Sequence, residues 1–149
     1  ESLYMLIKDW GKTTWILFHT LSYNLIDDSH AIILFREIVN LCKYLPCPIC
    51  TKHATSYLKN KKISNKNDLI LVLFHFHNDV NKKLNKKILT IEEHDNLYKI
   101  QKIYNVLNYF NNVFRGSRGV SINNLNVKIN KIAFVKYLQS NINKFSNFY

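Results

Sequence analysis

Only three glycines and two prolines punctuate a chain of 149 residues, and that scarcity constrains the fold more than any other feature. A many-stranded β architecture needs turn residues at each reversal, so the chain reads as helical. Apolar residues recur at helical spacing along it. Trp10, Thr14, Phe18 and Leu21 make one stripe over residues 10–24, with Asp9 as the expected N-cap. Ile32, Phe35, Ile38, Val39 and Cys42 repeat the pattern over 30–44 behind Ser29. Pro46 ends that segment because it disfavours helical geometry at Leu45. Pro48 suits the first turn of a third helix, where no N–H is needed, and that helix is expected to run to about residue 59. A polar loop over 59–67 leads to a long helix from Asp68 to Leu84. Thr90-Ile91-Glu92-Glu93 has the pattern of a capping box and opens one more helix, continuing to about Phe114.

Four to five helices with short connections indicate an all-α fold, a four-helix bundle with an additional short helix. Hydrophobic residues at 47% and aromatics at 13% are enough for a packed core. Arg115-Gly116-Ser117-Arg118-Gly119 breaks the pattern, so residues 1–114 are expected to form one domain and 115–149 a C-terminal extension of unassigned role. In that extension Val120-Ser121-Ile122 and Val127-Lys128-Ile129 alternate like strands, and Lys131–Ile142 reads as helix. The longest apolar run, Leu69 to Phe74, is too short to cross a bilayer. No charged-then-apolar leader precedes the first amphipathic segment, so no secretory signal is expected. The net charge of +11 fits either a solvated basic surface mirroring AT-rich coding or a patch for nucleic acid, anionic membrane or an acidic partner.

The chemistry concentrates at Cys47-Pro48-Ile49-Cys50. Pro48 puts Cys47 at a helix N-cap and Cys50 one turn inside, where the helix dipole and free backbone N–H groups favour a thiolate. Cys47 is expected to be the outer sulfur that exchanges with substrate, and Cys50 to point inward. Structural zinc is the rival reading: Cys47, Cys50 and His53 could supply three ligands, with His75 or His77 as the fourth. No second C-x-x-C or H-x-x-x-H completes the usual pattern, and an inert reduced pair is a further alternative. Cys42 could serve as a shuttle thiol, yet its place on an apolar stripe favours burial.

Two other groups accompany the dithiol. Trp15, His19 and Tyr23 are spaced four apart and share one helical face, a ladder that suits either core packing or a flat heterocycle. His77, Asn78 and Asn81 sit on the longest helix beside Leu73, Phe74 and Val80, where polar groups are costly to bury without partners. Lys83 and Lys86 follow and could meet a diphosphate. An exposed polar face is the plainer alternative.

Together, Trp10-Gly11-Lys12-Thr13-Thr14-Trp15-Ile16-Leu17-Phe18-His19, Leu45-Pro46-Cys47-Pro48-Ile49-Cys50 and His77-Asn78-Asp79-Val80-Asn81-Lys82-Lys83-Leu84-Asn85-Lys86 resemble the Erv/ALR family of FAD-linked sulfhydryl oxidases. The resemblance covers residues 9–100 or so. It is strongest to small members encoded by large nucleocytoplasmic DNA viruses, through the C-x-x-C-x-x-His-Ala run of Cys47–Ala54. It implies a helical bundle holding FAD non-covalently, as a homodimer. Flavin contacts would fall to Gly11, Lys12, Trp15, His19, Tyr23, His53, Phe74, His77, Asn78, Val80, Asn81, Leu84, Lys86 and, against the adenine, Tyr98. Cys47 and Cys50 would be catalytic, with no metal.

The implied activity oxidises thiols to a disulfide and passes electrons to oxygen, giving hydrogen peroxide. Lys12 stands where many relatives have Arg, which weakens bidentate contact there. A second C-x-x-C shuttle pair is lacking, so thiol-containing protein substrates or a small dithiol carrier protein would reach Cys47 directly. By resemblance the setting is the infected host's cytoplasm, at the viral factory, and the virion. The rival functions are a basic helical nucleic-acid-binding domain and a zinc-dependent interaction domain.

Overall fold

A computed structural model describes residues 10–116 and 125–149. Among them are seven α-helices and no strands, which bears out the all-α class though the helices outnumber the four to five expected: α1 Lys12–Tyr23, α2 Ala31–Cys42, α3 Pro48–Leu58, α4 Lys66–Lys83, α5 Ile91–Tyr98, α6 Ile103–Gly116 and α7 Leu125–Ser140. Single 3₁₀ turns occupy Asp28–His30 and Ile142–Lys144. Asp9, Ser117-Arg118-Gly119 and Val120-Ser121-Ile122 lie outside the described residues.

Local chemistry sets most helix starts. Cys47 caps α3 with Pro48 in its first turn, Asn65 caps α4 by accepting from the Asp68 N–H, and Thr90 and Glu93 form a reciprocal capping box on α5. Helix α4 thus begins two residues before Asp68. Ser29 is not the cap of α2. It lies inside the 3₁₀ turn, whose cap is Asp27, and Asp27 accepts from the Ser29 N–H.

Two sequence expectations are corrected. The single helix expected from Thr90 to about Phe114 is two, α5 and α6, separated by residues 99–102 with no glycine or proline to mark the break. The cause is tertiary: the first N–H groups of α6, on Ile103 and Tyr104, donate to the carbonyls of Asn147 and Phe148. Val127-Lys128-Ile129 is helical rather than strand-like, because α7 already starts at Leu125. Val127, Phe134 and Leu138 are its buried face.

Helix α1 is central, packing most extensively on α6 and α4, while α7 covers α2. Leu17, Leu21, Leu34, Ile38, Leu69, Leu73, Ile103 and Phe110 fill one apolar core. Phe134, Leu138, Phe145 and Phe148 belong to the same core, so residues 125–149 pack on the bundle. After α7 the chain returns to the end of α1, where Phe145 bridges Leu25 and the Ser146 N–H donates to the Asn24 carbonyl at 2.7 Å. No described helix is long and apolar enough to cross a membrane.

Candidate functional site

The start of α3 carries the reactive sulfurs. The Cys50 N–H donates to the Cys47 sulfur at 3.2 Å, as an N-cap requires, and the two cysteines are joined as a disulfide with Cα atoms 5.2 Å apart. Their exposure reverses one expectation. Cys47 has no accessible surface, whereas Cys50 is half-buried. The Leu45 N–H donates to Thr51 Oγ1 at 2.9 Å, which folds the preceding turn against the helix, with Pro46 and Cys47 buried. Cys50 lines a cavity of about 80 Å³ together with His53, Trp15 and Phe76.

Beside it opens a larger cleft of about 530 Å³ between α1, α4 and α5, within the range of about 300–1,000 Å³ usual for small-molecule and cofactor sites. Gly11, Lys12, Trp15 and Ile16 form one wall, and His77, Val80, Asn81 and Leu84 the opposite one. Lys86, Leu97, Tyr98 and Gln101 close the rim. Gly11, Trp15 and Val80 line both cavities, so the cleft and the Cys50 chamber share a wall.

Helix periodicity and one backbone turn position these groups. The Trp15 and His77 rings stack at 4.2 Å with planes 6° apart, and the His19 ring lies 5.4 Å from Trp15 on its own helix. His19 Nε2 and His77 Nδ1 share a hydrogen bond of 2.8 Å. Asn85 takes the left-handed region at φ 56°, which Asn tolerates, and the Lys86 N–H then returns to the Asn81 carbonyl at 2.8 Å. That reversal puts Lys86 on the rim.

Not every expected contact residue reaches the cleft. His53 lines the Cys50 chamber, its Nε2 bonded to Asp79 Oδ2 at 2.8 Å. Asn78 clasps the loop behind the wall: its Nδ2 donates to the Leu89 carbonyl at 2.9 Å and its Oδ1 accepts from the Leu89 N–H at 3.1 Å. His19, Tyr23 and Phe74 stand one layer back, around His94. Tyr23 Oη bonds His94 Nδ1 at 3.0 Å and donates a short hydrogen bond to Asp95.

Burial pushes the titrating groups of this region towards neutrality. Desolvation takes His19 well below the ordinary imidazole range, His77 down to about 3 and His94 down to about 4, with neighbouring imidazoles adding to the effect on His19 and His77. Burial first, and then the Asp95 hydrogen bond, raises Tyr23. Cys42 is buried in the core and pushed up to about 12 by burial, so it is a protonated, sealed thiol.

Ile16, Leu97 and Gln101 in the cleft, and His94 and Asp95 behind it, escaped the sequence reading. His94 alone carried a signal, lying one turn before Tyr98 on the same face of α5. The zinc arrangement is not assembled: the two sulfurs bond each other, His53 bonds Asp79, and His75 is exposed.

Residues 12–105 match the Erv1 / Alr family. A protein of African swine fever virus (isolate Tick/Malawi/Lil 20-1/1983) named FAD-linked sulfhydryl oxidase is 34% identical over 113 residues, covering 72% of this chain and 94% of that protein. The protein of the same name from isolate Pig/Kenya/KEN-50/1950 shares 34% identity over the same coverage. A variola virus protein (isolate Human/India/Ind3/1967) named probable FAD-linked sulfhydryl oxidase is 33% identical over 70 residues, 46% of this chain and 73% of that protein. No solved structure matches.

Proposed function

The chain belongs to the Erv1/Alr family, and from that premise we infer that its dithiol and cleft make it an FAD-linked sulfhydryl oxidase. It joins two thiols of a substrate as a disulfide, and oxygen is reduced to hydrogen peroxide. The observation that carries this reading is the shared wall: Cys50 opens into a chamber that has Gly11, Trp15 and Val80 in common with the lining of the cleft.

The residues present fit FAD. Flat rings of Trp15, His77 and Tyr98 suit a planar heterocycle, and the buried Asn81 amide supplies hydrogen-bonding groups. Lys12 and Lys86 suit the diphosphate, and Gly11 leaves room where a Cβ would intrude on both cavities. Val80 and Leu84 contribute apolar wall, and His53 borders the chamber of Cys50. In this reading His19, Tyr23, Phe74 and Asn78 hold the walls from behind. Bound FAD supplies the two-electron chemistry that links dithiol oxidation to oxygen.

The chain's own residues handle thiol exchange. A substrate thiolate attacks Cys47, the Cys47–Cys50 bond breaks, and the electron pair leaves on Cys50 at the electropositive end of α3. A second substrate thiolate then attacks the mixed disulfide, releasing oxidised substrate and a reduced pair. Because Cys47 is sealed, the turn Leu45–Cys47 must open for the first attack. Cys50, which lines the chamber, is the sulfur placed to deliver electrons. Cys42 also borders the Cys50 chamber, but burial raises its thiol, which disfavours a thiolate there.

The finer assignments extend this reading. A small dithiol carrier protein is a fitting electron source, since these residues hold one C-x-x-C and a sealed Cys42. A homodimer belongs to the same reading, as the family resemblance implies. The setting proposed is the cytoplasm of an infected host, at the viral factory, and the virion. Purified protein should be yellow, absorb at about 450 nm as oxidised flavins do, and consume oxygen with dithiothreitol. Cys50→Ser should keep the colour and lose turnover. Protein that cannot be loaded with FAD, or a Cys50→Ser variant that still oxidises thiols, defeats the proposal.

A further inference from the structure

The stretch of chain that carries the dithiol is basic throughout. Residues 38–67 hold Lys43, Lys52, Lys59, Lys61, Lys62 and Lys66, and neither Asp nor Glu. Lys66 turns away, its Nζ donating to the Leu25 carbonyl at 3.0 Å, and the Lys61 ammonium lies over the Tyr57 ring at 4.6 Å. Asp79 reaches His53 from α4, but Lys83 stands 3.7 Å from the same carboxylate. Lys43 and Lys52, nearest in sequence to the cysteines, are exposed and have no acidic partner among the described residues.

Helix α3 gathers this charge on one side. Ile49, Lys52, Ser56 and its C-cap Lys59, spaced three, four and three apart, share an exposed face, while Ala54 and Leu58 are buried opposite. The face starts at the dithiol. Ile49, between the two cysteines, is 69% exposed, and Tyr44, just before the turn of Leu45–Cys47, is 45% exposed. Lys43 adjoins Tyr44 and Lys52 lies one helical turn from Ile49. Two apolar side chains, each with an ammonium group beside it, thus flank the turn that a thiol must pass to reach Cys47. An occupant is obligatory there, because a polypeptide whose thiols are joined through Cys47 must lie against these residues. Opposite charge favours that approach and like charge opposes it. Nucleic acid, the other polyanion a basic face attracts, offers Cys47 no thiol to exchange.

We propose that Lys43, Tyr44, Ile49, Lys52 and Lys59 form the docking surface for the thiol substrate. The partner it fits is a polypeptide segment with apolar side chains at its cysteines and acidic ones on either side. The identity of that occupant rests on the oxidase reading, whereas the charge preference of the surface does not. Steering by opposite charge raises the rate of productive encounter rather than the rate of the chemical step, and salt weakens it. The discrimination therefore falls in kcat/KM, between substrates that differ only in the charges around their cysteines.

Two synthetic peptides test this, each with one C-x-x-C pair, one flanked by glutamates and the other by lysines. With the flavin-loaded full chain at about 10 mM ionic strength, kcat/KM for the acidic peptide should be about tenfold the higher. At about 1 M salt, where the screening length is about 3 Å, the two should agree within about twofold. Lys43→Gln with Lys52→Gln should cut the low-salt ratio to about threefold, and a general loss of activity does not move that ratio, since it lowers both rates alike. Lys128→Gln with Lys136→Gln removes the same charge from exposed positions on α7 and should leave the ratio at about tenfold. Equal low-salt rates for the two peptides overturn the proposal. So does an α7 pair that lowers the ratio as far as the first pair, because net charge would then be the cause. Cysteine-to-serine copies of the peptides, titrated by fluorescence anisotropy, read docking without turnover. A chain that oxidises no thiol would end the oxidase reading, while the anisotropy titrations would still decide the charge preference. If a DNA duplex binds through Lys43 and Lys52 and the acidic copy does not, the face belongs to nucleic acid and the proposal fails.

Discussion

Acidifying flavin-stripped protein from pH 7 to pH 5 should cost a large part of its stability, well before the carboxylates titrate. His77 and His94 are held at about 3 and about 4 in the folded chain, against 6.5 for the same groups exposed, burial being the main cause. Above pH 6.5 both states carry neutral rings and neither residue contributes any pH dependence. Below it the unfolded chain binds protons that the folded chain refuses, so stability falls with pH at about 1.4 kcal/mol per pH unit per ring. At pH 5 each ring has cost about 2 kcal/mol, and the pair about 4 kcal/mol, out of a total of about 5–15 kcal/mol for a domain. His19 and His30 push the same way, both lowered chiefly by burial. The exposed carboxylates of Asp27, Asp68 and Glu93 are lowered by hydrogen bonds, so their stabilisation is lost only in a more acidic window. Urea unfolding followed by tryptophan fluorescence at pH 7, 6 and 5 gives the slope directly. His94→Gln, which cannot take up a proton, should remove about 2 kcal/mol of the difference between pH 7 and 5. A stability flat across that range, or a slope unaltered by His94→Gln, refutes the reasoning.

Asn78→Ala removes both hydrogen bonds to Leu89 and should cost about 2 kcal/mol in denaturant unfolding. An unaltered unfolding midpoint would show that the clasp is idle. Cys42→Ala should keep thiol oxidase turnover within about twofold, since a thiol pushed up to about 12 supplies no thiolate. A tenfold loss in the oxygen-consumption assay would restore Cys42 as a shuttle. Lys86→Ala should weaken flavin binding and reduce its dependence on salt, readable by fluorescence titration at two ionic strengths. Equal salt dependence in both proteins would remove Lys86 from the diphosphate.

The legible parts of this molecule were those coded locally. The Cys47 cap, Pro48 in the first turn and the Thr90–Glu93 capping box each announce a helix start within four residues, and all three stand where expected. Trp15, His77 and Asn81 reach the cleft because helical spacing alone decides which side chains share a face. What failed was coded at long range. The break between α5 and α6 depends on carbonyls of Asn147 and Phe148, more than forty positions away, and no nearby residue marks it. The burial of Cys47 follows from Thr51 bonding back to Leu45, which spacing within C-x-x-C cannot show. Asn78 had the right chemistry for a ligand contact, yet the backbone of Leu89 claims both ends of its amide.

The chain's return to its own beginning has a consequence for how the molecule is made. Ser146 hydrogen-bonds Asn24 across 122 positions, and Phe145 and Phe148 are part of the one apolar interior. At ribosomal speeds of about 5–20 residues per second, roughly 6–24 s separate the synthesis of those two partners. The start of α6 waits only 44 positions for its acceptors, about 2–9 s at the same speeds, and until then the nascent bundle shows water the pocket that these phenylalanines later fill. Closure is therefore a late event of biosynthesis, and a chaperone holding apolar surface has a defined interval in which to act.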